Sequence, residues 1–147
     1  MKISREWLQK YFLSPLPDAA PLGDALTFHA FEIDGMEKVG NDDVLDVKIT
    51  PNRGHDALSH LAIAKEISAI LNIPLGSDPL KEVPNLSPTT DAVSATIEDI
   101  ELCKRFTAGY VKGVQVGPSP EWLKNCLEAI GQRSINNVVD ITNFVMF

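Results

Sequence analysis

Apolar residues recur at Ile3, Trp7, Leu8, Tyr11 and Phe12, the spacing of a helix with one buried face, and Ser4 stands where a cap is needed. Ser14-Pro15-Leu16-Pro17 breaks that helix, because proline lacks the amide hydrogen and clashes with the preceding turn. The pattern predicts a second short helix from about Pro21 to His29, with proline at its start and Leu22, Ala25 and Leu26 turned inward. The period then changes. Phe31, Ile33, Met36 and Val39 read as one strand, and Leu45, Val47 and Ile49 alternate with Asp46 and Lys48 in another. Gly40-Asn41-Asp42-Asp43 is turn chemistry between them, so the two strands should form an antiparallel hairpin. Thr50 to Gly54 is an irregular turn. A longer helix follows, with Asp56 as N-cap, an apolar face of Leu58, Leu61, Ile63, Ala64, Ile67, Ile70 and Leu71, and Asn72-Ile73-Pro74 as its end.

Four prolines, Pro74, Pro79, Pro84 and Pro88, mark residues 74–91 as a semi-extended linker. Beyond it Val93, Ala95 and Ile97 alternate, and Phe106 to Val116 is rich in strand formers. Ser119-Pro120-Glu121 is a helix start; Trp122, Leu123, Cys126, Leu127 and Ile130 supply the buried face and Gly131 the stop. Asn137 to Phe147 reads as the beginning of another helix. The class is therefore α+β: a helical first unit (1–73) with a two-stranded hairpin, a linker (74–91), and a second α+β piece (92–147).

Composition narrows the chemistry. Of 147 residues, 44% are hydrophobic, enough for a core and against wholesale disorder. The formal net charge of −7 argues against a free-standing nucleic-acid binder, which would neutralise phosphates with Lys and Arg. Two cysteines and three histidines show no metal-ligand spacing, and a reduced cytoplasmic setting is the simplest reading. Neither a membrane-length apolar run nor a signal-peptide start is present in the sequence.

No catalytic triad, phosphate-cradling glycine loop or carboxylate pair is recognisable, so no catalytic residue is assigned. Pro51-Asn52-Arg53 reads as a turn entering a helix, with Arg53 forming a salt bridge or reaching a carbonyl. His55 and His60 lie five apart, off a common helix face, and read as surface or capping groups. Cys126 falls in an apolar stripe and Cys103 lacks the cues of a reactive thiolate. Trp7 and Trp122 read as core anchors. By residue type alone Asn137, Asp140 and Asn143 would cap and brace the last helix.

Four strings carry the reading further: Met1-Lys-Ile-Ser-Arg-Glu-Trp-Leu8; Val44 to Arg53 with Ala57 to Glu66; Gly117-Pro-Ser-Pro-Glu-Trp-Leu123; and Arg133 to Met146. In this order they resemble the N-terminal part of bacterial phenylalanyl-tRNA synthetase β subunits, the last two resembling the opening of the editing (B3/B4-like) domain. Family members commonly carry an oligonucleotide-binding barrel between the hairpin strands. Here Gly40 to Asp43 leaves no room for it, either because the lineage lacks it or because it was removed. The family's continuation past the Asp-Ile-Thr-Asn segment is also absent, so the editing domain is expected to be incomplete.

The resemblance implies a fragment of an enzyme that joins phenylalanine to its tRNA with ATP and Mg²⁺, in an assembly of two α and two β subunits. Activation would belong to the α subunit, and the fragment alone would be inactive. Thr142 and Asn143 would line the pocket that hydrolyses tyrosine misattached to phenylalanine tRNA. Asn137 stays open between that pocket and a helix cap. The alternative is a stand-alone binding or scaffold protein reusing these domains. The apolar residues of the last helix also suggest self-association of the fragment.

Overall fold

The structure, a computed structural model, describes residues 1–81 and 90–147. It packs as two compact units, Met1–Lys81 with Val116–Phe147 in one and Glu82–Gln115 in the other. The division by packing thus differs from the expected one at residues 73 and 92. The last 32 residues return to the first unit because they carry apolar side chains that complete its second core cluster.

In the first unit a short strand β1 (Lys2–Ser4) leads into α1 (Arg5–Gln9) and α2 (Ala19–His29). Strands β2 (Ile33–Val39) and β3 (Asp42–Val47) form the expected hairpin. It turns at Gly40, whose φ of +61° is open to glycine without a Cβ clash. β1 is an addition that the helical period concealed. It pairs antiparallel with β3, Ile3 opposite Leu45, so the sheet runs β1-β3-β2 and β3 is central. Central position explains the burial of β3: Val44, Leu45 and Val47 are all shielded, whereas β2 is mostly exposed. A register shift between Ile33 and Gly35 marks a bulge in β2.

Ser4 closes β1 and caps α1, its hydroxyl accepting from Trp7 N at 2.9 Å and donating to Asp42. Ser59 caps α3 (His60–Leu71), accepting from Ala62 N. Asp56, expected in that role, is held instead by Arg53. The guanidinium reaches Asp56 at 2.8 Å and Glu66 at 2.6 Å, stitching the Thr50–Gly54 turn to α3. Asn72 ends α3 in the left-handed conformation that Asn tolerates. The core behind the sheet gathers Ile3, Leu8, Leu22, Leu26, Leu45 and Val47 with Ile63 and Ile67 of α3.

The expected linker begins later than its prolines suggest. Leu75 bridges to Phe12, and Gly76 N donates to Tyr11 O at 2.8 Å. Residues 82–89 of it lie outside the described residues. In the second unit neither Val93–Ile97 nor Phe106–Val116 forms a strand among the described residues. Strand-forming side chains make a strand only when a partner ladder satisfies the backbone; here Phe106, Val111 and Val114 stay exposed and unpaired with any strand.

Helices α4 (Glu121–Ala129) and α5 (Asn137–Met146) belong to the first unit. The buried stripe of α4 is Leu123, Cys126, Leu127 and Ile130, at helical spacing. Trp122 lies off that stripe and is 51% exposed, so it is not the core anchor expected of it. Gly131 ends the helix at φ +81°, with Gln132 N donating to Leu127 O and Gly131 N to Glu128 O, the two bonds of a left-handed helix stop. Gly131→Ala should therefore lower stability by about 1 kcal/mol, read as a shift in urea midpoint at unchanged slope. An unchanged midpoint would mean that the turn is not needed to hold α4.

Candidate functional site

The site is built on α5 and the turn that feeds it. Asn136, in an extended conformation, caps α5 by accepting from Val138 N and Val139 N, both at 3.0 Å. Asn137 is bound to Gly117 twice: Asn137 N donates to Gly117 O at 2.9 Å and Gly117 N to Asn137 Oδ1 at 3.1 Å. One turn on, Asp140 has no accessible surface. Its carboxylate accepts from Ser119 Oγ at 2.5 Å, Ser134 Oγ at 2.6 Å and Ile135 N at 2.9 Å. These donors, the Ser119 hydroxyl foremost, hold its pKa below the ordinary carboxylate value. Ser119 thus serves Asp140; Pro120 takes the cap position of α4.

Helical geometry separates the three predicted site residues. Thr142 and Asn143 are consecutive, ~100° apart around the axis, and can share one rim. Thr142 is exposed, its hydroxyl donating to Val139 O at 2.6 Å, and Asn143 is half-buried. Thr142 sits among Val138, Ile141 and Val145, which are 42%, 54% and 77% exposed, so one hydroxyl interrupts an open apolar face. Asn137 lies on the other side, engaged with Gly117. The structure therefore brings Thr142 and Asn143 together and places Asn137 apart from them.

The packed face of α5 carries Phe144 and Phe147. Phe144 stacks on Trp7 at 4.5 Å between centroids and 3° between planes, and meets the edge of Trp122 at 5.4 Å. His60 also stacks on Trp7, at 3.8 Å and 12°. Trp7 is 1% exposed, and its Nε1 has no hydrogen-bond partner. Burial raises the Tyr11 pKa, and the neighbouring Trp7 partly opposes that rise.

His60 was expected at the surface or in a cap; it is fully buried. Ser4 N donates to Nε2 at 3.0 Å, which leaves Nε2 without a proton and assigns the hydrogen to Nδ1. Nδ1 donates to the Phe147 main-chain oxygen at 2.9 Å, and His60 N donates to the same atom. Desolvation lowers the imidazole pKa to about 4, partly opposed by the Phe147 bond. The signal was present in the sequence: His60 precedes Ile63, Ala64 and Ile67 by three, four and seven residues and so shares their face. Its partner Phe147, 87 positions away, was not legible.

A cleft of about 750 Å³ with a mixed polar and apolar lining also opens between the β2–β3 turn, α1 and α4, with Trp122 and Asn125 on its wall. Among the described residues no cluster of His, Cys, Asp or Glu is arranged to hold a metal, and no helix is long and apolar enough to cross a membrane.

Residues 102–147 match the B3/4 domain. The whole chain is similar to phenylalanine–tRNA ligase beta subunits. It is 39% identical over 146 residues to that of Rhodopirellula baltica, covering 99% of this chain and 21% of that protein. It is 41% identical over 133 residues to that of Geobacter sulfurreducens (90% and 15%) and 46% over 120 residues to that of Syntrophotalea carbinolica (79% and 14%). The chain spans about a fifth or less of the length of these relatives.

Proposed function

We propose, from a likeness to phenylalanine–tRNA ligase β subunits that runs nearly the length of the chain, that these residues are the N-terminal part of such a subunit. The observation that carries this reading is a similarity that extends over 99% of the chain, at 39% identity, rather than over the B3/4 match alone. The first unit is a scaffold, and α5 is one edge of a pocket that removes tyrosine wrongly joined to phenylalanine tRNA. Aminoacylation, with its ATP and Mg²⁺, belongs to the whole assembly with the α subunit.

The chemistry of α5 suits that task. Tyrosine and phenylalanine differ by one hydroxyl, and a site that hydrogen-bonds a hydroxyl discriminates far better than apolar fit alone. Thr142 offers its oxygen from an apolar face that would pack against a ring, and Asn143 offers an amide beside it. Asn137, on another face of α5, acts on the pocket only indirectly, by tying the start of α5 to Gly117.

Purified alone, the chain should form no phenylalanyl adenylate and should not deacylate tyrosyl-tRNA. In the full-length subunit assembled with its α partner, Asn143→Ala should lower deacylation of tyrosine on phenylalanine tRNA by about 100-fold while phenylalanine charging is unchanged. Unaltered deacylation would remove Asn143 from the pocket. A second reading has one observation in its favour: residues 116–147 close onto 1–81 as a single compact unit, as a self-standing scaffold would. The size of the native gene product decides between them. The first reading requires a protein about five times this length, from the share of the relative that the chain covers.

A further inference from the structure

We propose that Trp7 and His60 are positioning residues for the pocket edge: from the N-terminal elements they set the rotation and axial place of α5, and so where Thr142 and Asn143 stand. The inference rests on the reading of Thr142 and Asn143 given above. Phe144 is the residue next to Asn143, and in a rigid helix its direction fixes that of its neighbour. Its ring lies flat on Trp7, 3° from parallel, with the edge of Trp122 closing a third side. Rotating α5 by one residue, ~100°, would take Phe144 off the indole altogether.

His60 supplies the second constraint. Its backbone and ring nitrogens both donate to the Phe147 oxygen, which fixes the far end of α5 along its axis. That oxygen, at the negative end of one helix, meets the positive start of α3. His60 cannot turn away, because Nε2 is held by Ser4 N and its face by Trp7. At the other end of α5 the polar contacts come from Ser134 just before it and from Gly117 and Ser119 at the start of α4. Those bonds tie α5 to α4. Trp7 and His60 refer the helix to the first 81 residues.

The test has two arms. In this chain, hydrogen exchange of the α5 amides is measured for Trp7→Leu, Trp7→Phe and Phe144→Leu, the last leaving the N-terminal elements intact should Trp7→Leu fail to fold. Protection should fall at least about tenfold in Phe144→Leu and Trp7→Leu and return in Trp7→Phe, which keeps a flat ring. In the full-length subunit assembled with its α partner, the same variants are assayed for deacylation of tyrosine on phenylalanine tRNA. Phe144→Leu should lower kcat about tenfold with KM within about twofold, and Trp7→Phe should restore it. Unchanged protection of α5 overturns the proposal. So does lost protection with unchanged deacylation, provided Asn143→Ala abolishes the reaction. If Asn143→Ala is also silent, the assignment of the pocket to α5 has failed, and the positioning role falls with it.

Discussion

Trp7→Ala should destabilise the first unit by about 3–5 kcal/mol, the largest single effect expected of any side chain here. The indole is buried and is shared by the three elements that meet on it: α1 that bears it, α3 through His60, and α5 through Phe144. Its removal leaves a cavity and forfeits the stacking contacts with His60 and Phe144, each worth about 0.5–1.5 kcal/mol beyond burial. Because Nε1 makes no hydrogen bond, the loss is one of packing, and Trp7→Phe should cost far less. Trp122→Ala provides the contrast. That ring is half exposed and meets Phe144 in a T-shaped contact, so it should cost no more than about 1 kcal/mol. Urea unfolding followed by circular dichroism measures all three. Equal losses for the two alanine variants would show that the stack is not the centre of the unit.

Lowering the pH from about 6.5 to about 4 should remove on the order of 3 kcal/mol of stability through His60 alone. The unfolded imidazole takes up a proton near its ordinary pKa of 6.5, and the folded one only near 4. Between those values the unfolded chain binds more protons, so stability falls as the pH falls; above 6.5 both states are neutral and the effect vanishes. The physical reason is that both ring nitrogens are engaged. A proton on Nε2 would face the Ser4 N–H, donor against donor, with no water to solvate the charge. Asp140 acts in a lower window. Its folded pKa is depressed, so its contribution is present above the ordinary carboxylate value and is lost as the pH falls below it. Unfolding free energies across pH 4 to 8 for the natural chain and His60→Gln separate the two groups. The variant should lack the slope between 6.5 and 4, and a slope retained there would assign it to other groups.

Local order was largely readable along the chain. Ser4 as a cap, the hairpin around Gly40, Leu22 and Leu26 inward on α2, and Gly131 as a stop all follow from spacing, side-chain hydrogen bonding and backbone freedom. These are effects within a few residues, and a sequence displays them directly. The stripe of α4 was equally plain, yet Trp122 fell outside it, because an aromatic ring announces apolar surface and not the direction it faces. Strand-forming composition in residues 93–116 was misleading for a related reason: a strand is a property of a pair, and pairing is not written in one segment.

The candidate site divides in the same way. Thr142 and Asn143 were marked out by the string that carries them, and helix periodicity already placed them side by side. Asn137, open between pocket and cap by sequence, stands on another face of the helix and bonds Gly117, twenty residues back. His60 carried a helical-face signal, but nothing local says that its ring is covered by Trp7 or that its nitrogens meet Ser4 and Phe147. Sequence by itself determined the hairpin, most of the helices and the Ser4 and Gly131 caps, since each depends on neighbours along the chain, and it marked Thr142 and Asn143 as candidates. Tertiary structure alone decided that residues 116–147 return to the first unit, and that a tryptophan and a histidine near the chain's start hold the helix near its end. Those contacts exist only where apolar faces separated by more than fifty residues find a common core, and burial energy is indifferent to the distance between them in sequence.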